Sequence, residues 1–193
     1  MDLYNLGRNL FSGIFAAGYK LKVIGLENVP KEDGVLICSN HISYLDPPLV
    51  GSSSGRTVHF MAKAELFNMP VLKGILPKIH AFPVRRGMSD KQALRKGLEL
   101  LRNGKAVGLF PEGTRSKTGS IADGLAGAGF FALKTDAKVV PCAIIGPFKM
   151  FKPVKIVYGT PIDFSELKEQ KASAREATVK IMEEIRELYE ANK

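Results

Sequence analysis

Long apolar runs are missing from this chain. None approaches the roughly 20 consecutive apolar residues that a membrane-spanning helix needs. The longest one near the start, "LFSGIFAAGYKL" (10–21), is short and interrupted by Ser12, Gly13 and Gly18. A secretory signal is not expected, because a charged lead-in and a small-residue cleavage site are both lacking. Cysteine is scarce: Cys38 and Cys142 each sit inside an apolar run, "VLICSN" and "VVPCAII". Such thiols are expected to be buried and unpaired, which suits a reducing compartment and a cytoplasmic protein. Histidine is too sparse for a metal centre. Besides His41 there are only His59 and His80, in separate predicted strands and at no ligand spacing. No cysteine pair supplements them, so no metal is expected. Two catalytic signatures are absent as well. There is no G-x-S-x-G turn to expose a serine nucleophile, and no G-x-x-x-x-G-K-[ST] loop to cradle a nucleotide's phosphates. No nucleic-acid-binding motif is present, and there is no repeat, low-complexity stretch or linker.

What remains is a chain of 193 residues, 45% of them apolar, enough for one domain with a real core. Its formal net charge of +9 favours an anionic partner, whether nucleic acid, acidic lipid or a phosphorylated substrate. Residues 3–17 place Leu3, Leu6, Leu10, Ile14 and Ala17 at steps of three and four, with Phe11 and Phe15 widening the stripe. That is an amphipathic helix. Strands are predicted at "KLKVIG", "VLICSN", "TVHFMA", "KIHAFPV", "AVGLF", "KVVPCAII" and "PVKIVYG". "KAELFNMPVLKGIL" reads as a helix interrupted by Pro70. Ser89 with Gln92 forms a capping box for a helix that buries Leu94, Leu98 and Leu101, ending at Gly104. "GLAGAGFFALKT" reads as helix despite its glycines. Ser173 with Glu176 opens the last helix, whose core face is Val179, Met182, Ile185 and Tyr189. Strands and helices alternate, so the fold class is α/β: a single domain (19–193) with a mixed, mostly parallel sheet flanked by helices. An N-terminal amphipathic helix (1–18) precedes it.

Three polar loops follow predicted strands, where ligands gather in such folds. The first, "SNHISYLDPP" (39–48), sets His41 five residues before Asp46. Asp46 before Pro47 fits a helix N-cap followed by proline at the first helical position. A cap carboxylate keeps a second oxygen that could accept from the imidazole and leave the other ring nitrogen as a base. The alternatives are a polar loop with no chemistry, or a nucleophile at Ser39, Ser43 or Cys38. The second loop, "FPVRRG" (82–87), supplies Arg85 and Arg86. The third, "FPEGTRS" (110–116), sets Glu112 and Arg115 around Gly113, and Arg115 can grip a phosphate with two N–H groups. A base without an enzyme nucleophile, beside arginines, suits an anionic substrate that brings its own hydroxyl.

"NHISYLDP", "AFPVRRG", "FPEGTRS" and "VVPCAI" stand in this order and at intervals that resemble the four motifs of the glycerolipid acyltransferase family, over about residues 20–160. The resemblance implies transfer of an acyl group from acyl-CoA or an acyl carrier protein to the 2-hydroxyl of lysophosphatidic acid. No cofactor beyond that co-substrate is implied. His41 would be the general base and Asp46 its orienting partner. Arg86, Glu112, Gly113, Thr114 and Arg115 would bind the acceptor phosphate, and Asn40, Lys63, Lys117 and Pro141 are further candidates, Pro141 in the strand lining the donor side. The chain departs from the pattern at Leu125 in "GLAGAG", where many members carry a basic residue, so that contact would have to come from Lys117 or Lys63. A membrane-borne acceptor gives the N-terminal helix a use, docking on the anionic cytoplasmic face of the membrane.

Overall fold

A computed structural model of the chain describes residues 2–85, 90–116 and 118–193. Its strands are β1 (Lys22–Ile24), β2 (Val35–Ser39), β3 (Val58–Lys63), β4 (Ala81–Val84), β5 (Ala106–Leu109), β6 (Lys138–Ile145) and β7 (Lys155–Tyr158). They form one sheet in the order β1-β7-β6-β2-β5-β3-β4. Every neighbouring pair is parallel except β6 with β7, which is antiparallel. β4, β3, β5, β2 and β6 therefore end at one edge, and β7 and β1 run the other way.

The central strand β2 is buried along its whole length. A parallel strand covered on both faces reads as an unbroken apolar run, as "VLICS" does. Its side chains alternate between two cores. Val35 and Ile37 face Phe15, Leu49 and Val50 of α1 (Leu3–Tyr19) and α2 (Asp46–Ser53). Leu36 and Cys38 face Leu101, Phe131 and Ile181. Those residues belong to α4 (Lys91–Arg102), α5 (Gly127–Lys134) and α7 (Ala174–Asn192). Two shorter helices, α3 (Leu72–Ile75) and α6 (Ser165–Glu169), lie between them in the chain. No helix among the described residues is long and apolar enough to cross a membrane.

Several local expectations need correction. The segment around Pro70 is not one kinked helix but a 3-10 turn at Ala64–Asn68, the single-turn α3 and a second 3-10 turn at Pro77–Ile79. Helix α4 is capped by Asp90, whose carboxylate accepts from the backbone N–H groups of Gln92 and Ala93. Ser89 lies outside the described residues. Helix α7 does carry the Ser173–Glu176 capping box. Its buried face, however, is Ala177, Thr178, Ile181, Met182 and Ile185, and Val179 is exposed. The small residues Ala177 and Thr178 take the inward positions because α5 packs close: Gly129 donates its N–H to Thr178 Oγ1 at 3.0 Å.

Helix α1 begins at Asp2, which caps it by accepting from Asn5 N–H. Its buried side takes only the Phe11–Phe15 part of the stripe read from the sequence. Tyr4, Phe15 and Gly18 pack inward, with Phe11 partly covered, and Phe15 is completely enclosed. Leu3, Leu6, Leu10 and Ile14 point to solvent, Leu10 at 60% exposure. The helix has two apolar faces, and the fold uses one.

Candidate active site

β2 delivers its last residue, Ser39, to the strand-end edge, and His41 follows two residues later. Asn40 fixes that exit. It is wholly buried, donates to Ile144 O at 3.0 Å and accepts from Ile144 N at 2.7 Å, tying the end of β2 to the end of β6. The turn 41–45 then closes on one carboxylate oxygen. Asp46 Oδ2 accepts from the backbone N–H groups of Ile42 and Ser43 and lies 2.7 Å from His41 Nδ1. Asp46 has no exposure, and the His41 side chain keeps 12%.

Asp46 is thus the first residue of α2 and faces back along the chain, not forward as an N-cap would. The reason is the Pro-Pro pair that follows. Pro48 has no N–H to offer, and Leu49 already donates to Leu45 O at 2.9 Å. The donors left for the carboxylate are those of the preceding turn and the imidazole.

The loop after β5 wraps His41 from the other side. Glu112 is buried: its Oε1 accepts from His41 N–H at 2.8 Å and its Oε2 from Ala122 N–H at 3.0 Å. Ser116 N–H donates to His41 O at 2.8 Å. The Phe110 ring stacks on the imidazole, centroids 4.1 Å apart and 18° from coplanar. Gly113 makes the turn between Glu112 and Thr114 at φ +70°, and a Cβ there would lie 2.6 Å from the Leu125 side chain. With both oxygens on backbone amides, Glu112 shapes the site; a carboxylate is also unsuited to touch an anion directly.

Arg115 reaches over the ring of Tyr44 with 3.4 Å between guanidinium carbon and ring centre. Among the described residues its guanidinium makes no hydrogen bond or ion pair, which leaves its N–H groups for a ligand. Tyr44, 77% exposed, belongs to the turn that carries His41, a neighbour the sequence pattern did not nominate.

Beside His41 opens a cavity of about 680 Å³ between the sheet and helices α4 and α5. Its lining includes Met61, Leu94, Leu109, Phe130 and Phe131, together with His41, Arg85, Glu112, Gly113 and Thr114. Leu125 lines it too, largely exposed. The other nominated residues lie elsewhere. Lys63, at the end of β3, pairs with Glu65 at 3.4 Å. Pro141 is buried within β6, where its carbonyl accepts from Gly159 N–H, and no β6 residue lines the cavity. Arg86 and Lys117 lie outside the described residues.

The rival nucleophiles are poorly placed. Cys38 and Cys142 are free and fully buried. Burial pushes both thiols up, Cys142 to about 12, so neither supplies thiolate near neutrality. Ser39 is buried and donates to Asn40 O, and Ser43 Oγ accepts from Leu45 N–H. No serine or cysteine hydroxyl or thiol is hydrogen-bonded to His41 among the described residues. The arrangement offers an oriented imidazole in the lining of a largely apolar cavity, with a guanidinium stacked on the same turn.

Residues 20–145 match the family described as Acyltransferase. The chain is 33% identical over 194 residues to the 1-acyl-sn-glycerol-3-phosphate acyltransferase of Bacillus subtilis (strain 168), covering 95% of this chain and 96% of that protein. It is 36% identical over 135 residues to the chloroplastic 1-acyl-sn-glycerol-3-phosphate acyltransferase LPAT1 of Arabidopsis thaliana, covering 68% of this chain and 38% of that longer protein. Among solved structures it is similar to the 1-acyl-sn-glycerophosphate (LPA) acyltransferase PlsC of Thermotoga maritima. There the TM-score is 0.73 at 27% identity, with 96% of this chain and 77% of the other covered.

Proposed function

The chain belongs to the acyltransferase family, and on that premise we propose that it carries an acyl group from acyl-CoA or an acyl carrier protein to the 2-hydroxyl of 1-acyl-glycerol 3-phosphate. The product is phosphatidic acid, a step of phospholipid synthesis. One observation carries the mechanism: His41 Nδ1 is bound at 2.7 Å to an oxygen of Asp46 that also accepts two backbone N–H groups. An oxygen so surrounded by donors holds the ring as the tautomer with its proton on Nδ1. Nε2 is then the base. It takes the proton of the acceptor hydroxyl as that oxygen attacks the thioester carbonyl, and the imidazolium returns the proton to the departing thiolate. Asp46 balances the transient charge. The substrate supplies the nucleophile, consistent with the seclusion of Ser39, Cys38 and Cys142.

The cavity suits the donor's acyl chain. A soluble thioester must shelter that chain from water, and the walls are largely hydrocarbon. Arg115, with Gly113 and Thr114, is assigned to the acceptor phosphate, and Arg86 and Lys117 are proposed to add charge there. The acceptor's own chain stays in the bilayer, and the exposed stripe of α1 is proposed to dock the protein on the anionic, cytoplasmic surface of the membrane.

The test uses purified protein, labelled lysophosphatidic acid and a panel of acyl-CoA and acyl-carrier thioesters. His41→Ala is expected to lose about 10²–10⁴-fold in transfer with the fold intact, and Asp46→Asn to lose less. Undiminished turnover by a folded His41→Ala, or an acyl group trapped on Ser39, Ser43 or Cys38, overturns the mechanism.

A further inference from the structure

The β6–β7 connection, "PFKMFKP" (147–153), puts two large apolar side chains in water: Met150 is 58% and Phe151 66% exposed. Lys149 and Lys152 flank them, both exposed. Phe151 also has φ +62°, an uncommon conformation for a residue with a side chain. The loop is nonetheless firmly held. Phe148 packs inward against Phe15 and Tyr19. Phe151 N–H donates to Gly18 O at 2.6 Å, and Val154 N–H to Tyr19 O at 2.9 Å. The Met150 thioether lies against Gly18, where a Cβ would come within 3.3 Å of it. So the loop is clamped to the C-terminal end of α1, the helix whose Leu3, Leu6, Leu10 and Ile14 are also exposed.

Two further observations name the partner. Lys149 and Lys152, with Lys20 at the end of α1, make no ion pair among the described residues. Unneutralised cations around an apolar tip match the boundary between anionic headgroups and acyl chains. The loop's root also adjoins the reactive turn: a Cβ on Gly146 would meet the Ile42 side chain at 3.3 Å. Since β6 runs parallel to β2, the loop leaves the sheet at the His41 edge.

We propose that residues 147–153 form a second membrane-inserting element, seating Met150 and Phe151 among the acyl chains of an anionic bilayer while Lys149 and Lys152 meet its phosphates. The proposal rests on the docking role given to α1 and extends it to the edge where His41 stands. It makes the loop, and not the helix alone, the part that sets the depth of the reactive turn in the interface.

The chain contains no tryptophan, so one introduced indole reports its own surroundings. F151W places it at the loop tip. V179W places it at an exposed position on α7, which packs on the opposite face of the sheet. Each full-length variant is mixed with vesicles of phosphatidylglycerol and phosphatidylcholine, and sedimentation is measured beside the emission. F151W should cosediment with a blue-shifted emission protected from an aqueous quencher, and V179W should cosediment without a shift. M150S/F151S should weaken vesicle binding about tenfold, as partial burial of two large side chains implies, with an unchanged melting temperature. Vesicle-bound F151W with unshifted emission overturns the loop's role and leaves α1 docking standing. Failure of the parent protein to bind vesicles at all overturns both.

Discussion

His41 is held on every side that the chain can reach. Its ring has Phe110 on one face and Asp46 at Nδ1, its N–H goes to Glu112 and its carbonyl takes Ser116. Arg115, in contrast, stacks on the face of Tyr44 and makes no hydrogen bond or ion pair among the described residues. A guanidinium stacked on an aromatic keeps its in-plane N–H groups free, which suits the proposed role of receiving a phosphate with two parallel bonds. Stacks at exposed sites are worth about 0.5–1 kcal/mol. Tyr44→Ala should therefore raise KM for the acceptor about two- to fivefold and leave kcat and the donor KM nearly unchanged. Tyr44→Phe should restore the parent values, since the ring and not the hydroxyl does the holding. Arg115→Ala should raise the acceptor KM by roughly ten- to a hundredfold, from the loss of a charged hydrogen bond. If Arg115→Ala acts on the acceptor and Tyr44→Ala does not, the stack is idle. If Arg115→Ala weakens only the donor, the phosphate assignment is wrong.

Among the elements, α1 separates the residues that hold the fold from those proposed to dock it. Phe15 is enclosed between β2, α2 and Phe148, whereas Leu10 and Ile14 have no such cover. Phe15→Ala should destabilise the fold by about 3–5 kcal/mol. Leu10→Ser with Ile14→Ser should change stability by less than about 0.5 kcal/mol per site while reducing sedimentation with anionic vesicles. Equal losses of melting temperature in both variants would mean that the stripe belongs to the core after all. The same helix shows where sequence reading reaches its limit. Its helical period is plain from the leucines, but periodicity cannot tell which of two apolar stripes meets the protein. That is decided by Gly18 and Tyr4, small or polar-tipped residues that a hydrophobicity pattern passes over. In α7 the same thing happens: the close approach of α5 selects Ala177 and Thr178, and Val179 is left outside. The seven strands were legible because β-branched runs such as "KVVPCAII" are bounded by turns. The direction of Asp46 was not, since it depends on which neighbouring N–H groups are still free. Nor was Tyr44, whose partner lies seventy-one positions on, at Arg115.

At the scale of the whole molecule, the sheet is a partition. The cavity lies on the side covered by α4 and α5. The exposed stripe of α1 and the Met150–Phe151 tip lie with the side covered by α1 and α2. His41 stands on the rim between them, where β2 ends. In the proposed reaction the thioester's chain enters from one side of this wall and the lipid alcohol arrives from the other. In that reading both substrates meet at His41, and no protein atom has to carry the acyl group in between. The kinetic order of the reaction follows from that geography. When donor and acceptor are varied together, double-reciprocal plots of initial rate should intersect to the left of the axis, the mark of a ternary complex. Parallel lines would mean that one product departs before the second substrate lands. An unreactive thioether analogue of the donor should likewise compete with the donor alone.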